Sequence, residues 1–142
     1  MWPVADLRTY LSGYWRIDRT LVDHRISKTG RMLGEAMFAH SGGSLINKER
    51  GTLTFGAHRG AAEQSYFYDF PSGNARASVR FRDGRPFHEL DLCAGESIVR
   101  HLCNPDRYDG RFTALDENQW ESAWTVVGPR KNLGIVTLYT RT

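Results

Sequence analysis

With 142 residues, 40% of them hydrophobic and 25% charged, the chain has the length and apolar content of one domain that needs neither disulfides nor metal, and it is too apolar for a disordered segment. The net charge of +3 rests on sixteen Arg and three Lys scattered among acids, as in Arg16-Ile17-Asp18-Arg19, so no basic stripe marks a nucleic-acid interface. No apolar run approaches the roughly 20 residues that cross a bilayer as a helix.

The opening, Met1-Trp2-Pro3-Val4-Ala5-Asp6, lacks the basic and apolar regions of a signal peptide, which makes the cytoplasm the expected compartment. Residues 5–11 carry Leu7, Tyr10 and Leu11 at helical spacing and stop at Ser12-Gly13. Beyond them, turn signals recur every ten to fifteen residues, from Ser27-Lys28-Thr29-Gly30 to Gly128-Pro129. Asp83-Gly84 reads as the tightest of them, a two-residue type I′ hairpin with both central residues at positive φ. The nine turns divide the chain into ten segments, and these alternate with period two.

Segment 64–70 sets Tyr66, Tyr68 and Phe70 on one face. Segment 75–82 alternates Ala75, Ala77, Val79 and Phe81 against Arg76, Ser78, Arg80 and Arg82, the pattern of a half-buried strand. Trp120, Trp124 and Val126 share a face of segment 118–127, and Leu133, Ile135, Thr137 and Tyr139 form a row in the last segment. Ten short strands in a meander leave two exposed edges unless the sheet closes on itself. The expected fold is therefore all-β: a closed antiparallel up-and-down barrel of about ten strands over residues 1–142. An immunoglobulin-like sandwich lacks its Cys…Trp…Cys spacing here.

Leu11-Ser12-Gly13-Tyr14-Trp15-Arg16 resembles the signature of the lipocalins and the wider calycin superfamily, a helix leading into Gly-x-Trp on the first strand. That resemblance implies that the short N-terminal helix plugs one end of the barrel, with Trp15 packed inside that end and covered by a basic residue of the last strand, here Arg141. The stretches Gly51-Thr52-Leu53, Gly84-Arg85-Pro86-Phe87-His88-Glu89-Leu90-Asp91-Leu92, His101 to Gly110 and Gly128-Pro129-Arg130-Lys131 resemble an uncharacterised bacterial family with a calycin-like fold, which brings no activity with it. Ten strands are similar to the fatty-acid-binding proteins and to nitrobindin, a haem-binding barrel. Thr137-Leu138-Tyr139 resembles the last strand of the fatty-acid-binding proteins, where an Arg-x-Tyr pair clamps a carboxylate, but Thr137 stands in the Arg position.

If Leu90 and Leu92 face inward, so does His88, while Glu89 and Asp91 face water. An imidazole inside a barrel is a ligand contact, a general base, a metal ligand, or simply a core histidine bonded to the next strand. His101 and Cys103 share a face, the minimum for a Cys/His nucleophile, yet no oxyanion hole or orienting group accompanies them. Cys93 and Cys103 read as free thiols, with Cys103 an apolar filler. His88, His101 and Glu49 together would give three donors to a metal, but no HxH pair or fixed-offset carboxylate supports that reading, and no cofactor is expected.

Tyr66, Tyr68, Tyr108, Trp124 and Tyr139 fall on inward rows, either filling the barrel or lining a cavity for a flat, partly polar molecule. Arg130, at the turn after Pro129, reaches a mouth of the barrel or points to solvent. The expected ligand-binding set is therefore Tyr66, Tyr68, His88, His101, Tyr108, Trp124, Arg130 and Tyr139. His88 and His101 become catalytic if the cavity instead runs a cofactor-free isomerisation, cyclisation or decarboxylation. The expected partner is a small molecule, with no nucleic acid and no membrane, and a homodimer stays open.

Overall fold

The computed structural model describes all 142 residues as one helix and ten antiparallel strands. The elements are α1 (Leu7–Leu11), β1 (Gly13–Asp23), β2 (Lys28–Ser41), β3 (Ser44–Phe55), β4 (His58–Asp69), β5 (Arg76–Phe81), β6 (Pro86–Asp91), β7 (Glu96–Cys103), β8 (Asp106–Asp116), β9 (Gln119–Gly128) and β10 (Lys131–Arg141). Chain neighbours pair except β6 and β7, and β1 also pairs with β10, from Trp15 opposite Arg141 to Asp23 opposite Leu133. The sheet thus rolls into a calycin-like barrel, as the turn spacing anticipates. No helix is long and apolar enough to cross a membrane.

The barrel is nearly closed, with one seam left unpaired. β6 and β7 are the two ends of the sheet order and do not pair. Aromatic rings fill the gap instead: the Phe87 ring lies 4.3 Å from that of Phe81 and 5.3 Å from that of His101. The register shift between β5 and β6, at Val79/Arg80, explains how Phe87 gets there. One extra residue breaks the alternation, so Phe87 and His88 are both buried although they are adjacent.

The hairpin joining β5 to β6 also departs from expectation. It spans four residues, Arg82 to Arg85, and only Gly84 has positive φ, at 92°. Asp83 stabilises this wider loop by accepting from the Arg85 backbone N–H at 3.0 Å and its Nε at 2.7 Å, which a two-residue turn has no room for.

Two glycines let the wall bend. Gly34 of β2 faces Gly51 of β3, and a Cβ on Gly34 would stand 2.1 Å from the Arg50 carbonyl oxygen. Only bare backbone fits that approach.

At the plugged end, Asp6 caps α1 by accepting from the Thr9 N–H at 3.0 Å, so the helix starts at Leu7 and not at residue 5. A five-residue helix is unstable alone. Here it is held by Leu7 and Leu11, both fully buried, and by Trp15, whose indole N–H donates to the Leu11 carbonyl at 2.8 Å. The Arg141 guanidinium sits 4.1 Å from the Trp15 ring centre and donates to the Tyr10 and Glu117 carbonyls. Trp15, Phe38, Leu45, Leu90, Leu92 and Trp120 then fill this half of the barrel. The other half stays hollow.

Candidate functional site

The hollow half is a cavity of about 350 Å³, within the usual range for small-molecule sites. Its floor is made of Tyr68, Phe112 and Tyr139, and beneath them lies Trp120, stacked on Tyr139 at 3.7 Å between ring centres. Its walls carry Tyr66, Phe87, His88, Tyr108 and Trp124, and its mouth opens between Leu21, Lys131 and Leu133. Gly110 of β8 shapes the wall: it pairs with Trp124, and a Cβ there would meet the indole at 2.7 Å. The missing side chain is what lets the indole lie flat across β8.

The polar centre of the cavity is a buried ion pair. Arg19 projects inward from β1 in the row of Trp15 and Ile17, and Glu49 from β3 in the row of Leu45 and Asn47. The Arg19 guanidinium donates to Glu49 Oε1 at 2.6 Å and to Thr137 Oγ1 at 2.8 Å, and the Tyr139 hydroxyl donates to Glu49 Oε2 at 2.8 Å. Only 12% and 4% of the two charged side chains is exposed, so the pair is desolvated. Burial alone would lower the pKa of Arg19, but Tyr139 and Glu49 outweigh it and push the pKa up, so the guanidinium stays charged. Burial, reinforced by the Glu49 charge, raises the phenols of Tyr66, Tyr68 and Tyr139, which stay neutral hydroxyls. Arg19 and Thr137 are register partners. The cation absent from the Thr137 position is therefore supplied one strand over, and it arrives already neutralised.

His88 lies against Phe87, Phe112 and Trp124. Its Nδ1 is 2.9 Å from the Glu89 carbonyl oxygen, which can only accept, so Nδ1 carries the proton. Nε2 therefore presents a lone pair. Burial drives the His88 pKa down to about 4, leaving a neutral acceptor on the cavity wall at pH 7.

Six of the residues expected from sequence, Tyr66, Tyr68, His88, Tyr108, Trp124 and Tyr139, line the one cavity. His101 does not. It packs behind Phe87, between Phe81 and Tyr108, in the gap between β6 and β7. Arg130 is exposed on the turn from β9 to β10, its carbonyl accepting from the Arg25 guanidinium, and the neighbouring Lys131 lines the mouth. Cys93 is exposed and Cys103 partly so, and both are free. No group of three or more His, Cys, Asp or Glu side chains is placed to hold a metal ion, so His88, His101 and Glu49 do not form a donor set.

Arg19, Leu21, Gln64, Phe87, Phe112 and Ser122 also line the cavity without having been singled out in the sequence. Arg19 was visible in principle, because it sits two residues beyond Ile17 in the inward row of β1. Phe87 was not, since strict alternation from His88 places it outside.

Residues 11–141 match the model of a family of unknown function, DUF6314. No curated protein matches the sequence significantly. Among solved structures, the S-type phycobiliprotein lyase CPES from Guillardia theta superposes with a TM-score of 0.74 at 8% identity, over 95% of this chain and 90% of that one. A protein of unknown function from the DUF3598 family of Nostoc punctiforme gives 0.65 at 9% identity, over 95% of this chain and 49% of that one. EF1p2_mFAP2b, solved bound to DFHBI, gives 0.53 at 11% identity, over 97% of this chain and 98% of that one. Identities this low establish a shared fold and nothing finer.

Proposed function

The chain belongs to the DUF6314 family, for which no activity is described, and from its cavity we propose that it binds a small, flat, partly polar organic molecule inside the barrel. The observation that carries the proposal is the lining: aromatic faces surround a few convergent polar groups, namely the Arg19–Glu49 pair, the His88 acceptor and the hydroxyls of Tyr66 and Tyr108. A barrel of similar fold, solved with DFHBI bound, supports the idea that such a scaffold accommodates a molecule of this kind. Native mass spectrometry of the gently purified protein tests it. An added mass that is released on denaturation, and retained less well by His88→Ala and Tyr66→Phe, is the expected result. A bare chain mass, with no shift on titrating flat heteroaromatic compounds, refutes it.

A second reading, proton transfer on the bound molecule with His88 as base, rests on the free Nε2. A general base works best with a pKa near the working pH, and His88 at about 4 is a weak one. The imidazole thus suits a hydrogen-bond contact better than a catalyst. Turnover that disappears in His88→Gln while ligand is still retained would reverse that ranking.

A further inference from the structure

The charges of this barrel are sorted by end. At the cavity mouth, all five turns carry or adjoin cations: Arg25 and Lys28 between β1 and β2, and Arg59 after β3. Arg82 and Arg85 follow β5, Arg107 lies after the turn from β7, and Arg130 and Lys131 follow β9. The carboxylates there are Asp23, Asp83, Asp106 and Asp109, with Glu63 beside the outer groove, still fewer than the eight cations. Asp83 holds Arg85, Asp106 holds Lys131 and Asp109 holds Arg107, whereas Arg25, Arg59, Arg82 and Arg130 form no ion pair. The plugged end is the reverse, with Asp6, Asp91, Glu96, Asp116 and Glu117 against Arg8, Arg76 and Arg141.

The cavity also runs on outward. A groove of about 650 Å³ shares Gln64, Tyr66, Phe87 and Tyr108 with it; Glu63, Arg82, Asp83 and Arg85 rim it, and Arg85 lies 5.2 Å over the Phe81 ring. Deep inside, by contrast, the one cation is already matched by Glu49 at 2.6 Å. A carboxylate or sulfonate pushed down to Arg19 would meet that like charge in a dry site.

Resting on the small-molecule reading above, we propose that the ligand is an organic anion bound in one orientation: its flat neutral body in the cavity and its acidic group at the mouth, among Arg82, Arg85 and Lys131. The same rim field draws anions to the opening and falls off with added salt.

Two probes with the same ring system test this, 8-anilinonaphthalene-1-sulfonate and its sulfonate-free counterpart N-phenyl-1-naphthylamine, titrated by fluorescence. The sulfonate is expected to bind at least about tenfold more tightly at low salt, a difference of about 1.4 kcal/mol. That ratio is expected to shrink toward one with salt and in an Arg82→Gln/Arg85→Gln/Lys131→Gln variant. A charge-matched Arg16→Gln/Arg50→Gln/Arg111→Gln variant on the exposed outer wall is expected to keep it. Equal binding of the two probes overturns the orientation and leaves the cavity reading standing. A preference lost in Arg19→Met but not in the rim variant overturns it in favour of a deep anion site. Binding of neither probe removes the cavity reading itself.

Discussion

Glu49→Gln is the most informative single substitution, because it removes one charge from a desolvated pair without changing its shape. Glu49 accepts from Arg19 at 2.6 Å and from the Tyr139 hydroxyl at 2.8 Å, and its side chain is 4% exposed. Breaking a buried pair from one side costs about 3–5 kcal/mol, since the surviving charge stays in a low-dielectric site. Gln still offers one oxygen, which favours the lower figure of about 3 kcal/mol. An unfolding entropy of about 2.1 cal/mol/K per residue gives roughly 0.3 kcal/mol/K for this chain, so Tm should fall by about 10 °C. Removing both charges in Arg19→Met/Glu49→Leu should recover most of that loss, because an apolar pair of similar size carries no desolvation penalty. Urea titration with an unchanged slope, alongside thermal scans, measures both variants. A Glu49→Gln protein within about 0.5 kcal/mol of the parent, or a double variant no better than the single, would refute the claim that the pair is dry and mutually dependent.

His88, held down to about 4 by burial, stays neutral in the fold while the unfolded chain protonates near its usual value. Its contribution is therefore complete above about pH 6.5 and disappears as pH falls toward 4, by about 3 kcal/mol in all. His88→Leu should flatten that part of the Tm–pH curve, and parallel curves for the two proteins would disprove a buried neutral imidazole. Arg141→Ala should lose about 2–3 kcal/mol from the cation–π contact on Trp15 and the bonds to the Tyr10 and Glu117 carbonyls. Faster amide exchange in α1 should accompany the loss, and an unmoved urea midpoint would count against it. Gly110→Val should push the Trp124 indole into the cavity and weaken N-phenyl-1-naphthylamine binding about tenfold, or about 1.4 kcal/mol. Unchanged affinity would show that the indole does not depend on the bare backbone beneath it.

The strand count and the helix near residues 5–11 were legible from turn chemistry, period-two alternation and helical spacing. The plug and the Trp15–Arg141 contact were legible only through the resemblance of Gly13-Tyr14-Trp15 to the calycin signature. Tyr66, Tyr68, Tyr108, Trp124 and Tyr139 were legible because they keep the parity of their strands. Phe87 was hidden because the register shift opposite it reverses parity locally, and a bulge leaves no reliable mark in a single sequence. His101 has the right parity, yet the extra ring of Phe87 stands between it and the cavity. Arg19 was passed over as one of many scattered arginines, although Ile17 and Leu21 flank it in the same row. Its partner Glu49 lies thirty residues away on β3, a pairing that only the rolled sheet brings about.

The pairing of β1 with β10 has a kinetic consequence. Every other ladder in the sheet is a hairpin between consecutive strands, formed locally and early, whereas Trp15 and Arg141 must find each other across almost the whole chain. Closing so long a loop costs more chain entropy than closing any single hairpin. The expected order of assembly is two ribbons, β1–β6 and β7–β10, followed by the β1–β10 buckle. Substitutions on the early β4–β5 hairpin should therefore slow folding, while those such as Ile17→Val on the late β1–β10 ladder should mainly hasten unfolding.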